Sequence, residues 1–172
     1  MDKRILEELL VDVKDFPKKG IIFKDISKIL SNPTASRFVV NDIIENIKND
    51  NIDIVIGLDA RGFILGSRIS DGLDVGFCMV RKKGKMPPPY VEIEYELEYG
   101  SDIITLSSEI IKPGMNIHIH DDILATGGTA ETACKLVEKL NANVVSLSFI
   151  LELQCLNTKL SNNYKKYSVI KF

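Results

Sequence analysis

The sequence predicts an α/β fold: an open, mostly parallel sheet flanked by helices, interrupted by an inserted antiparallel hairpin. Three observations predict it. Short apolar, β-branched runs alternate with helical periodicities from residue 52 to residue 151, the pattern of strand–helix–strand units. Between them, Glu92, Glu94, Glu96 and Glu98 alternate with Ile93, Tyr95, Leu97 and Tyr99, as in a half-exposed antiparallel strand. The chain has 172 residues, 45% of them hydrophobic, enough for one domain with a real core.

Taken in order, Ile5, Leu6, Leu9 and Leu10 stand at helical spacing and predict a short amphipathic helix. Asp15-Phe16-Pro17-Lys18-Lys19-Gly20 breaks it and opens an irregular segment running through Ile26. Asn32-Pro33 pairs a capping side chain with proline at the first helical position, and Phe38, Val39, Ile43, Ile44 and Ile47 give that helix an apolar face. Ile52 to Ile56 reads as a buried strand ending at Gly57, followed by the turn Gly57-Leu58-Asp59-Ala60-Arg61-Gly62 and a helix from Phe63 to about Ser70. Val75 to Val80 is a second buried strand. Arg81 to Pro89, with three consecutive prolines at its end, is expected to be irregular. The alternating strand then turns at Gly100-Ser101-Asp102 into Ile103 to Leu106. Met115 to His120, Val144 to Leu151 and Tyr167 to Ile170 are further strands, with a helix from Thr129 to Leu140.

Composition excludes several functions. A net charge of −2 gives no reason to expect nucleic-acid binding, and no apolar run reaches the roughly 18 residues a membrane span needs. Acidic residues interrupt the first turns, where a signal peptide keeps a clean apolar stretch. Cys78, Cys134 and Cys155 are odd in number and show no C-x-x-C spacing, which suits a reducing compartment. A cytoplasmic location is therefore expected.

The chemistry concentrates in His120-Asp121-Asp122-Ile123-Leu124-Ala125-Thr126-Gly127-Gly128-Thr129. Ala125 to Thr129 is a small-residue loop entering a helix, so backbone N–H groups, two threonine hydroxyls and the helix dipole can converge on an anion. Asp121 and Asp122 would repel a phosphate. They suit ribose hydroxyls, which need acceptors, and a nearby divalent cation. The segment therefore reads as a holder for a phosphorylated sugar, distinct from a Walker A loop because no G-K-[ST] follows. His118 and His120 fall on one face of the preceding strand. A zinc site would need further ligands, so packing or hydrogen bonding under the loop is expected.

These motifs resemble the type I phosphoribosyltransferases. The loop is joined by Asp15-Phe16-Pro17, Gly20-Ile21-Ile22-Phe23-Lys24-Asp25-Ile26, Gly57 to Phe63, Arg81 to Lys85 and Leu97-Glu98-Tyr99-Gly100, in the family's order and over nearly the full length. The resemblance implies a single domain over residues 1–172, with a small N-terminal hood over about 1–34 and a flexible loop and hairpin over about 81–107. It implies transfer of the 5-phosphoribosyl group from 5-phosphoribosyl 1-diphosphate to adenine, by a homodimer using Mg2+ carried mainly on the substrate near Asp121 and Asp122.

The roles it implies are specific. Asp121, Asp122, Ala125, Thr126, Gly127, Gly128 and Thr129 hold the ribose and 5′-phosphate. Asp59, Ala60, Arg61, Arg81, Lys82 and Lys85 address the diphosphate, with a cis peptide near Asp59-Ala60. Ile22, Phe23, Lys24 and Leu153 bind adenine, Phe23 and Leu153 sandwiching the ring. Lysine at position 24, where the family usually carries arginine, lacks a planar fork. Glu98 is implied to manage a proton at the purine N7, and Arg61 to join it in catalysis. Two alternatives compete: a 6-oxopurine enzyme and a non-enzymatic binder of the sugar diphosphate. The 6-oxopurine enzymes carry an acid where this chain has Ala125, and alanine transfers no proton.

Overall fold

The computed structural model describes residues 3–16, 18–96, 101–156 and 158–172. Its centre is β3 (Ile54–Leu58), a strand with every residue buried, as an apolar run between two parallel neighbours must be. It pairs in parallel with β4 (Gly76–Lys82) on one side and β7 (Asn116–Leu124) on the other. Beyond β7 lie β8 (Asn143–Glu152) and β9 (Lys166–Lys171), both parallel. Beyond β4 the hairpin of β5 (Tyr90–Glu96) and β6 (Ser101–Ser107) adds two antiparallel strands, giving the order β5-β6-β4-β3-β7-β8-β9.

Period-two alternation sends the residues of β3 to two cores. Ile54, Ile56 and Leu58 pack on one face of the sheet with Ala133, Leu136 and Val137 of α5 (Gly128–Lys139). Val55 packs on the other face with Leu65 and Ile69 of α4 (Gly62–Leu73), and with Val39, Ile43 and Ile47 of α3 (Pro33–Ile47). α3 starts as predicted: the Asn32 side chain accepts the N–H groups of Thr34 and Ala35, both at 3.0 Å, with Pro33 at the first position. α1 (Lys3–Glu8) buries Leu6 beside these helices.

The structure corrects four expectations. Residues 15–26 are not wholly irregular. Ile22–Asp25 forms β2, which pairs antiparallel with β1 (Val11–Lys14), and a short helix α2 (Ser27–Ser31) follows. Arg81 and Lys82 are not loop residues: they end β4 and pair with Thr105 and Ile104 of β6. Ser101 and Asp102 already belong to β6 rather than to the turn before it. β7 does not stop at His120 but runs to Leu124, because the ten-residue β8 offers partners that far, Ile123 facing Leu151 and Leu124 facing Glu152.

Two close approaches shape the carboxyl ends of β3 and β7. A Cβ on Gly62 would sit 2.7 Å from the His120 carbonyl oxygen, so only glycine lets α4 start against β7. Gly127 has φ +75 and enters α5 without a side-chain cap, and a Cβ there would meet the Thr158 hydroxyl at 2.5 Å. We expect Gly127→Ala to cost roughly 1–3 kcal/mol of stability, combining left-handed backbone with overpacking, as read by urea unfolding.

His118 and His120 are fully buried on the face of β7 toward α4. The His118 ring bonds the hydroxyls of Ser146 (2.9 Å) and Ser148 (2.8 Å), and His120 Nδ1 bonds Ser148 at 2.9 Å. The hydrogen-bonding role expected for them is what the ring geometry provides. Burial pushes both imidazoles down to about 3, the two rings lying close enough that His120 adds to the effect on His118. Unfolding returns each to about 6.5, so the unfolded chain binds more protons between these values. The histidine contribution is complete above pH 6.5 and is lost as pH falls toward 3. Each histidine then adds about 1.4 kcal/mol per pH unit to the slope of stability. His120→Gln is expected to flatten that slope by this amount between pH 4.5 and 6 in urea titrations; an unchanged slope would contradict a neutral, buried His120.

Candidate active site

A cavity of about 980 Å³ opens at the carboxyl ends of β3, β4 and β7, where ligands bind in open α/β sheets. Four separated pieces of sequence meet there. Ile22, Phe23 and Lys24 come from strand β2. Asp59, Ala60 and Arg61 come from the turn after β3. Asp121, Asp122, Ala125, Thr126 and Thr129 come from β7 and the loop into α5, and Leu153 follows β8. Lys82 lines the cavity as well. Leu153 is tied to the loop side by its N–H, which bonds the Leu124 carbonyl at 2.9 Å.

The charges are paired across these pieces. Arg61 Nε bonds Asp122 Oδ2, and its guanidinium carbon lies 5.2 Å from the centre of the Phe23 ring, in cation–π range. One side chain thus touches both the acid expected at the ribose and the ring expected at the base. The Asp122 side chain is 6% exposed against 47% for Arg61, so the acid is fixed and the cation can move. Asp121 is half-buried and accepts the N–H of Asp122 at 2.9 Å. Burial raises its pKa well above the ordinary carboxylate range, and the Asp122 charge adds to the rise.

Asp59 sits under the cation group. It accepts from Arg81 Nε at 3.1 Å, from the Lys82 N–H at 3.4 Å and from Lys85 Nζ at 3.4 Å. Its burial works against the charge, but these donors hold the carboxyl below its usual range. The peptide bond between Asp59 and Ala60 is cis, as the family resemblance implies, and the one between Pro88 and Pro89 is cis too. Lys82 Nζ pairs with Asp102 at 2.8 Å, a contact that raises the lysine and lowers the acid. Lys83 bonds Glu92 on the hairpin instead.

Not every predicted residue faces the cavity. Arg81 lies over the Phe63 ring, 5.6 Å from its centre, and Lys85 is held by Asp59 rather than lining the cavity. Gly127 and Gly128 shape the loop without lining it. Lys24 lines the cavity, yet its ammonium is bonded to Asp12 at 2.7 Å and lies 4.6 Å from the centre of the Phe172 ring, so it ties β2 to β1 and to the C-terminal residue. Glu98, with Leu97, Tyr99 and Gly100, lies outside the described residues, as does Pro17. Among the described residues, no group of three or more His, Cys, Asp or Glu is placed to hold a metal.

Sequence reasoning passed over Tyr95 and Asp102, which also line the cavity. Tyr95 looks like one aromatic among several in an alternating strand. Asp102 looks like a turn residue. Only the pairing of β5 and β6, and their fold back toward α5, brings them to the site.

Comparison with known proteins agrees with this geometry. Residues 25–171 match the family described as phosphoribosyl transferase domain. The adenine phosphoribosyltransferase of Rhodothermus marinus is 39% identical, with 99% of this chain and 98% of that one covered and a TM-score of 0.94. That of Thermoanaerobacter pseudethanolicus is 37% identical over 99% and 100% of the two chains, with a TM-score of 0.95. The Saccharomyces cerevisiae enzyme is 36% identical over 97% of each chain, TM-score 0.91, in a complex with an imino-altritol bisphosphate and adenine. With its turn, acid pair and threonine–glycine loop around one cavity, the chain belongs to the phosphoribosyl transferase family, among the adenine phosphoribosyltransferases.

Proposed function

We propose that this chain transfers the 5-phosphoribosyl group from 5-phosphoribosyl 1-diphosphate to adenine, giving AMP and diphosphate. The observation that carries the reading is the single cavity in which Phe23 and Leu153 meet Arg61, Lys82, Asp121, Asp122 and the loop from Ala125 to Thr129. Its parts match the parts of the substrates: flat apolar ring, diphosphate, diol and monophosphate. The complex of the yeast relative with adenine and a bisphosphate supports the same assignment. On this reading the chain is one catalytic domain, with residues 1–34 as hood and 81–107 as loop and hairpin. It acts as a cytoplasmic homodimer, which sedimentation of the purified protein would test.

The chemistry is a displacement at C1′. Adenine N9 gives its lone pair to C1′, and the bond from C1′ to the diphosphate oxygen breaks with its electrons leaving on diphosphate. The proton on N7 passes to Glu98. Positive charge gathers on the ribose ring and negative charge on the leaving group, so fixed charges at the two ends lower the barrier. Asp122 accepts a ribose hydroxyl once Arg61 has turned to the diphosphate, an exchange of one anion for another. Asp121, beside it at the cavity, offers a second carboxyl group to the ribose hydroxyls.

Carboxylate oxygens suit Mg2+, and Asp121 and Asp122 place two such groups at the cavity, so the donor set fits the ion. With no three-residue cage among the described residues, the ion would ride on substrate oxygens beside these two acids. Bound there, it would neutralise charge on the departing diphosphate.

Three measurements test the reading. Purified protein with adenine and 5-phosphoribosyl 1-diphosphate should form AMP; preference for hypoxanthine or guanine would overturn the base assignment, which rests on Ala125. Glu98→Gln should slow the chemical step in single-turnover assays, and an unchanged rate would remove Glu98 from proton transfer. Arg61→Ala should lower kcat/KM by about 100-fold or more, the typical loss for a charge stabiliser of the transition state.

A further inference from the structure

We propose that Tyr95 is a positioning residue for the 5′-phosphate, acting through the Thr129 hydroxyl; the inference rests on the phosphoribosyl-transfer reading above. Tyr95 stands on β5, at the edge of the sheet, and its hydroxyl lies 3.2 Å from Thr129 Oγ1 in the first turn of α5. Its ring packs over the start of that helix. A Cβ on Gly128 would lie 4.0 Å from Tyr95 Cδ2, at ordinary van der Waals distance, which places the ring beside the first turn of the helix. Both Tyr95 and Thr129 line the cavity, whereas Gly128 does not.

The chemistry follows from proton counting. A threonine hydroxyl carries one hydrogen and two lone pairs, and left alone it rotates among three staggered positions. To bind phosphate it must give its hydrogen to a phosphate oxygen. It can then accept from one neighbour, and Tyr95 is placed to be that neighbour. The ordered chain is Tyr95 O–H to Thr129 Oγ1, and Thr129 O–H to phosphate. Donation by tyrosine polarises the threonine hydroxyl and aims its hydrogen into the loop.

Tyr95→Phe keeps the ring and removes only the donor. Ribose 5-phosphate and diphosphate should be titrated separately against the wild type and Y95F by calorimetry. Y95F should weaken ribose 5-phosphate roughly five- to tenfold, the range of one hydrogen bond between neutral groups, and leave diphosphate unchanged. In turnover, kcat/KM for 5-phosphoribosyl 1-diphosphate should fall by a similar factor, while ribose 1-diphosphate, which lacks the 5′-phosphate, shows no added loss. In a Thr129→Val background, Y95F should have no further effect on ribose 5-phosphate binding. Equal losses on both diphosphates, a loss that persists without the Thr129 hydroxyl, or unchanged ribose 5-phosphate binding would each overturn the assignment. If the wild type makes no AMP from adenine yet binds ribose 5-phosphate, the functional reading fails while the titrations still decide the role of Tyr95.

Discussion

The site depends on how closely the turn after β3 lies against β7. Parallel pairing of Ile54 to Gly57 with Ile117 to His120 sets the two strands in register, and the absence of a side chain at Gly62 removes the last obstacle between them. The turn then places Arg61 over the end of the neighbouring strand, within reach of Asp122. Without that approach Arg61 and Asp122 would remain on separate loops. The buried hydrogen bonds of His118 and His120 to Ser146 and Ser148 hold β7 to β8 just beneath the acids, fixing the floor on which the exchange takes place.

Each basic group near the cavity has an acid as its resting partner. Arg61 has Asp122, Arg81 and Lys85 have Asp59, and Lys82 has Asp102. The carboxylates occupy positions on the cations that phosphate oxygens would take. Such an arrangement keeps long side chains in one region of space at modest entropic cost when a ligand arrives. It also explains why Asp59 belongs to the site although it would repel a diphosphate: its place is beneath the cations.

Much of this was legible in the sequence because it rests on local rules. Buried parallel strands announce themselves as β-branched runs such as Ile54 to Ile56, and Asn32-Pro33 carries its helix start in its side chains. The loop from Ala125 to Thr129 is readable because small residues at a helix entry leave backbone N–H groups open to an anion. What escaped depends on distant partners. The four-residue strands β1 and β2 carry mixed, largely exposed side chains, and only their mutual pairing makes them strands. Arg81 and Lys82 have loop-like chemistry but are held in β4 by β6. Lys24 looked like a base contact, and its partner Asp12 became visible only across the hairpin. Glu98, the residue for which family resemblance spoke loudest, falls outside the described residues.

The pairing of acids with bases around the cavity has a further consequence, for the encounter with substrate. Four cations, Arg61, Arg81, Lys82 and Lys85, stand against three paired carboxylates, Asp59, Asp102 and Asp122, so their fields largely cancel beyond a few ångströms. A polyanion approaching from about a Debye length away, roughly 8 Å in physiological salt, meets little net attraction. On the proposed reading recognition is deferred to contact, where the ligand's oxygens would displace the carboxylates from the cations. The cavity therefore selects by the shape and spacing of charge rather than by its amount, and a free counter-ion of the same total charge gains little hold there.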